Sequence, residues 1–174
     1  NCPGPMKRYL RRMIYAMRIW HARYLAAERE NDPEIAAMLR RVPFETPRTF
    51  REAVQSLWFV FAFTRLCGNW SGIGRIDKML GPYLEKDLAE NRITLDEARE
   101  ILAHFFIKGC EWIQSDTPTG TGDAQHYQNI VLSGTDHDGC DVTNAVTYLV
   151  LDIVEELAIG DYPITVRLTD ETDR

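Results

Sequence analysis

Residues 125–152 read QHYQNIVLSGTDHDGCDVTNAVTYLVLD, and residues 164–168, ITVRL, follow shortly after. The β-branched and aromatic run from about 126 to 132 predicts a strand that opens on polar residues. Gly134 to Cys140 predicts a turn, and the apolar spacing from about 142 to 157 predicts a helix that Asp141 is expected to cap. The second apolar run, from Ile164 to Leu168, predicts another strand. Strand, helix and strand in that order make a βαβ unit, which places its two strands parallel in one sheet.

Working back along the chain, Thr94 and Glu97 form a capping box before the stripe Leu95, Ala98, Ile101, Leu102, Phe105, Phe106 and Trp112, so a helix is expected to about residue 113. Residues 75–88 read as helical with an interruption at Gly81-Pro82. Before them lies a glycine-rich loop, 68–74. Thr49 and Glu52 form a second capping box, opening a helix whose run Leu57, Trp58, Phe59, Val60, Phe61, Ala62 and Phe63 is apolar on every side. Such a helix must be covered all round and suits the centre of a large protein. Asp32-Pro33 reads as N-cap and first residue of a short helix. Residues 6–30 form an amphipathic helix, with Leu10, Met13, Ile14, Met17, Trp20 and Tyr24 on one side and Lys7, Arg8, Arg11, Arg12 and Arg18 on the other. That basic face is expected to be solvated. The chain thus reads as one unit, helical over 1–115 and strand–helix–strand over 126–168, without internal repeats.

The 174 residues carry a formal net charge of −6, which argues against nucleic acid as the main partner because phosphate binding draws on clustered Lys and Arg. No apolar run approaches the roughly 20 residues of a membrane span, and a cytoplasmic location is the expectation. Cys2, Cys67, Cys110 and Cys140 are widely spaced, with no C-x-x-C pair and no His spacing for zinc, so reduced thiols and no metal are expected. The run Asp136 to Asp141 superficially suggests a calcium loop. Counting from Gly139 puts Gly134 in the first ligand position and Ala145 in the twelfth, which excludes an EF-hand. Thr119 to Gly122 lacks the Gly-Lys-Ser/Thr ending of a phosphate loop.

Loops at the strand carboxyl ends, together with inward-facing strand side chains, shape the sites of parallel α/β folds, which makes His126, Tyr127, Gln128 and Asn129 candidates. Alternation sets Tyr127 and Asn129 on one face and His126 and Gln128 on the other. A phenol and an amide facing a cavity suit a hydroxylated or carboxylated substrate; the same groups can equally tie neighbouring strands. His126 can carry a proton near neutral pH or be a satisfied structural histidine. In the glycine loop Trp70 offers an aromatic wall, Asn69 and Ser71 offer hydrogen bonds, and Gly72 and Gly74 allow close approach of backbone to a small polar ligand. Arg75 and Asp77 are expected to pair locally and stiffen the turn.

Several ordered stretches resemble the pyruvate formate-lyase domain of the glycyl radical enzymes: Pro47-Arg48-Thr49-Phe50-Arg51-Glu52-Ala53, Gly74-Arg75-Ile76-Asp77, the run from Tyr83 to Leu88, Gln128-Asn129, Asp138-Gly139, Asp141 to Asn144 and Tyr148 to Leu151. Ser71-Gly72-Ile73 and Ser133-Gly134 depart from the family's usual Ser-Pro and Gly-Gly, which bears on substrate identity. The resemblance implies the helix-rich part of an α/β barrel of two half-barrels, ending in the βαβ unit. It implies a radical lyase or dehydratase, or a formate acetyltransferase-like enzyme, that cleaves C–C or C–O/C–N bonds of a small polar substrate through a thiyl radical. The glycyl radical would be installed by an activating enzyme that uses S-adenosylmethionine and an iron–sulfur cluster, and the whole protein would be a homodimer. Ser71, Tyr127 and Asn129 are the expected substrate contacts, with Trp70, His126 and Gln128 behind them. None of the four cysteines matches the family's catalytic position, so no catalytic residue and no bound cofactor is expected in this segment, which is expected to be a fragment that is inactive alone. The alternative is a non-catalytic helical module that binds an acidic partner through helix 6–30.

Overall fold

A computed structural model describes residues 4–66, 72–110, 129–159, 162–170 and 172, with Arg29 and Glu30 described in their backbone only. The chain divides into two compact units, residues 1–46 and 47–174.

The first unit is a helical hairpin of α1 (Gly4–Asn31) and α2 (Pro33–Leu39). Asp32 turns the chain: its Oδ1 accepts the amides of Glu34 and Ile35 at 2.9 and 3.0 Å, and Pro33 supplies a first helical position that needs no amide donor. Ala36, Leu39 and Val42 are buried there, and so is His21, whose Nε2 lies 3.1 Å from the Val42 carbonyl. The His21 ring meets Phe44 edge-on, and the Arg18 guanidinium lies 4.2 Å from the Phe44 centroid. The basic side of α1 is exposed, as expected. So is much of its apolar side.

The second unit contains α3 (Phe50–Arg65), α4 (Ile76–Ala89), α5 (Leu95–Cys110), β1 (Ile130–Ser133), α6 (Ala145–Leu157) and β2 (Ile164–Arg167). β1 and β2 are parallel, with Ile130 opposite Ile164 and Ser133 opposite Arg167, so the expected βαβ unit is present. Its helix packs on α4, and α3 packs on α4 and α5. Phe50, Ile76, Leu80, Leu84, Leu102, Phe106, Ile130 and Leu132 are fully buried among these elements. Burying each of these large side chains is worth roughly 1.5–3 kcal/mol, enough to fix one arrangement of the helices over β1.

Four local expectations are corrected. α4 runs unbroken through Gly81-Pro82; Pro82 cannot bond to the Lys78 carbonyl, but the buried face of Ile76, Leu80 and Leu84 holds the helix together across that gap. α6 starts at Ala145 and is capped by Asn144, with Thr147 completing the box, whereas Asp141 Oδ1 accepts from the amide and hydroxyl of Thr143. Glu52 does not close the box on Thr49: its carboxylate turns to the amide and guanidinium of Arg48, while Thr49 Oγ1 still accepts the Glu52 amide. The apolar run of α3 is covered nearly all round, with Phe59, Phe61 and Ala62 buried and Leu57, Trp58 and Phe63 half-buried, and the expectation is corrected only at Val60, which is 45% exposed.

Candidate functional site

Gly72, Ile73 and Gly74 run beside β1. The amides of Ile73 and Gly74 both donate to the Asn129 carbonyl, at 3.0 and 3.1 Å, and the Gly74 carbonyl accepts the Val131 amide at 2.9 Å. Gly74 and Ile130 form a parallel bridge, so β1 lies between this segment and β2. Glycine is needed at 74, where φ is +78°. At Gly72 a Cβ would stand 3.3 Å from the Asn129 carbonyl oxygen, tighter than ordinary contact. The two sequence segments that carry the candidate substrate contacts therefore join, amide to carbonyl, at the amino end of β1.

The carboxyl end of β1 is held by the residues that follow Gly74. Asp77 is fully buried and accepts three donors: the amides of Ser133 and Lys78 and the Thr147 hydroxyl. A buried carboxylate satisfied in this way is tolerated without a cationic partner. The expected Arg75–Asp77 pair does not form; Arg75 instead donates to the carbonyls of Ser133 and Thr135 at 2.8 and 3.0 Å. Two positive-φ residues, Ser133 and Gly134, make the turn that these bonds secure. Arg167 Cβ on β2 would lie 2.8 Å from a Cβ at Gly134.

Asn144 ties the same region together from α6. Its Nδ2 donates to the Asp77 and Val142 carbonyls and its Oδ1 accepts the Val146 amide. Gly81 makes room for it: a Cβ there would lie 2.5 Å from Asn144 Nδ2.

Of the candidate contacts, Asn129 is exposed and stands one residue before β1, where its backbone carbonyl makes the junction with Ile73 and Gly74. Ser71, Trp70, His126, Tyr127 and Gln128 lie outside the described residues. Cys110 closes α5 and Cys140 lies in the turn after β1. Neither is on the segments that meet at Asn129, and no radical chemistry is assigned to either.

Among the described residues, Asp136, His137 and Asp138 bring possible metal-ligating atoms within 4.8 Å of one another. Asp136 spends Oδ1 on the amides of Asp138 and Cys140, and these two bonds hold its carboxyl below the ordinary carboxylate range. The cluster serves the turn.

Sequence reasoning missed Asp87, which is buried, accepts the Phe50 amide at 2.7 Å and pairs with Arg92. It stands beside an open groove of about 900 Å³ along α3 and α5, with Val54, Trp58, Ile101 and Phe105 among its lining. Arg51, Lys108, Glu97 and Glu100 also line it, and an open apolar floor flanked by both charge signs suits a packed chain element better than a small polar molecule. The signal was Asp87 falling three residues after Leu84, on the face of α4 that carries Ile76, Leu80 and Leu84, a position that requires a partner if buried.

The fold matches a helix-rich part of the α/β barrels of glycyl radical enzymes. Hydroxyproline dehydratase from Clostridioides difficile, solved with trans-4-hydroxy-L-proline bound, matches with a TM-score of 0.76 at 26% identity, over 88% of this chain and 22% of that one. A glycyl radical enzyme from Archaeoglobus fulgidus matches with a TM-score of 0.72 at 30% identity, over 91% of this chain and 22% of that one. A family model of pyruvate formate lyase-like proteins matches residues 7–174, and the chain belongs to that family. It is 35% identical over 167 residues to an isethionate sulfite-lyase of Nitratidesulfovibrio vulgaris, covering 85% of this chain and 20% of the relative. Trans-4-hydroxy-L-proline dehydratase of Clostridioides difficile is 28% identical over 170 residues, with 87% of this chain and 21% of that protein covered. The chain thus spans about a fifth of the length of these relatives. Among the described residues no helix is long and apolar enough to cross a membrane.

Proposed function

We propose that the protein carrying this chain is a glycyl radical lyase or dehydratase that cleaves a C–C, C–O or C–N bond of a small polar substrate, and that it needs a radical-installing partner enzyme that uses S-adenosylmethionine. Within it, residues 70–74 and 126–129 form one wall of the substrate cavity. Ser71, Tyr127 and Asn129 contact the substrate, and Trp70, His126 and Gln128 stand behind them. The observation that carries this reading is the junction of Gly72–Gly74 with the Asn129 carbonyl, in a chain whose family membership extends over nearly its whole length.

The names of several relatives support a small polar substrate. Isethionate, trans-4-hydroxy-L-proline and 1,2-propanediol are all small and carry hydroxyl or charged groups, which hydroxyl, phenol and amide side chains can orient through hydrogen bonds. No catalytic step is given to this chain's residues; their work is to bind and orient.

Turnover of a panel of these compounds by the activated whole protein tests the assignment. Ser71→Ala, Tyr127→Phe and Asn129→Ala are each expected to lower kcat/KM by about tenfold or more, the worth of a lost hydrogen bond to substrate, while leaving the radical signal intact. Unchanged kinetics in all three would remove them from the site, and loss of the radical itself would make them structural.

A further inference from the structure

The segment 72–74 meets β1 through a single parallel bridge, Gly74 with Ile130, closed by the Asn129 carbonyl and the Val131 amide. So short and glycine-rich a pairing specifies its own register weakly. Within two residues of Gly74 the chain enters α4, and from there side chains take over the same edge of β1. The Ser133 amide donates to Asp77 Oδ2 at 2.5 Å, the Ser133 carbonyl accepts from Arg75 Nη2 at 2.8 Å, and the Thr135 carbonyl accepts from Arg75 Nη1 at 3.0 Å. Residues 129, 131, 133 and 135, every second one, are thus all bonded by residues 73–77.

The two side chains divide the work. Asp77 also accepts from the Lys78 amide and the Thr147 hydroxyl, so it anchors the start of α4 to α6. Arg75 adjoins Gly74 and ties the segment itself. Its rigid fork reaches two carbonyls at once, and a slide of one residue along β1, about 3.3 Å, would lose both bonds. Arg75 Nε is buried and has no acceptor among the described residues. Buried polar atoms are ordinarily paired, so the reach to the two carbonyls sets where this side chain lies. We propose that Arg75 is a positioning residue: it fixes the register of Gly72–Gly74 on β1 and so the placement of Ser71 relative to Asn129. The inference rests on the reading of residues 70–74 and 126–129 as one cavity wall, where a displacement of about 1 Å can cost about a hundredfold in rate.

Arg75→Ala and Arg75→Lys in the whole protein test it by two readouts. Hydrogen exchange at the Ile73 and Gly74 amides should quicken by about tenfold or more in Arg75→Ala, and by less in Arg75→Lys, whose compact ammonium cannot bridge both carbonyls. The amide of buried Leu102 in α5 should keep its protection, which shows the core intact. After radical activation, kcat/KM for isethionate, trans-4-hydroxy-L-proline or 1,2-propanediol should fall by about tenfold or more in Arg75→Ala, with the radical signal undiminished. Guanidinium ion at about 50 mM, far below denaturing concentrations, should restore part of both. If Arg75→Ala also loses protection at Leu102, Arg75→Lys carries the same comparisons. Wild-type exchange at Ile73 and Gly74 in the variants overturns the proposal, and so does unchanged kcat/KM where Asn129→Ala lowers it. Faster exchange with kinetics unchanged in both Arg75→Ala and Asn129→Ala would instead overturn the wall reading beneath it.

Discussion

Arg75 and Asp77 hold opposite ends of the same residue. Asp77 Oδ2 accepts the Ser133 amide at 2.5 Å, and Arg75 Nη2 donates to the Ser133 carbonyl at 2.8 Å. Ser133 has φ +60°, a conformation that costs a non-glycine residue about 1–2 kcal/mol, and these bonds keep it there. The start of α4 thereby fixes the end of β1, while Gly74, one residue earlier, fixes its beginning.

Asp77→Ala should therefore be among the more damaging substitutions in the chain. It leaves the Ser133 amide and the Thr147 hydroxyl proton without their acceptor in the core, a loss of about 2–4 kcal/mol. Denaturant unfolding, with hydrogen exchange at the Ser133 amide, measures it. A change below about 0.5 kcal/mol, the ordinary scale of a surface substitution, contradicts the clamp.

Gly81→Ala puts a methyl group where Asn144 stands, 2.5 Å from Nδ2. Asn144 cannot yield freely, since moving it breaks the cap of α6 and the bond to the Asp77 carbonyl. Overpacking and cap loss together predict about 2–4 kcal/mol of destabilisation, although alanine is the better helix former. A stabilised Gly81→Ala variant would show that α4 and α6 do not approach this closely.

Glu97 and Asp136 give the pH dependence. The Thr94 amide, then the Thr94 hydroxyl, lowers the Glu97 pKa, and the Asp138 and Cys140 amides lower that of Asp136. Because both folded values lie below the unfolded ones, the stability they add is present above the ordinary carboxylate range, about pH 4, and is lost as pH falls through the folded values. NMR titration of the two carboxyl carbons should give midpoints below that range, with Thr94→Ala moving the Glu97 midpoint part-way back. Midpoints at ordinary values contradict the two bonds.

What the sequence discloses follows the range of the interactions. The caps at Asp32 and Thr94 and the βαβ order are local patterns, and the structure reproduces them. Asp141 and Asn144 are both good caps three residues apart, and the choice falls to Asn144 because only Gly81 across the core leaves it space. Pro82 reads as a break, yet the distant core holds α4 continuous. The joining of Gly74 to Asn129 spans more than fifty residues of chain; no local pattern announces such a pairing, although the glycines and the polar strand opening marked both partners. For the candidate contacts the described residues give the backbone at Asn129 and its neighbours at Gly72 and Ile73, while Ser71 and Tyr127 rest on sequence alone.

Electron paramagnetic resonance of the whole protein tests the central claim most directly. After anaerobic treatment with an S-adenosylmethionine activating enzyme and a reductant, the protein should show a glycyl radical signal, and Asn129→Ala should keep it. If the protein gives no such signal while the hydroxyproline dehydratase of Clostridioides difficile, activated alongside by its own partner enzyme, does give one, the assignment to radical lyase or dehydratase chemistry is wrong.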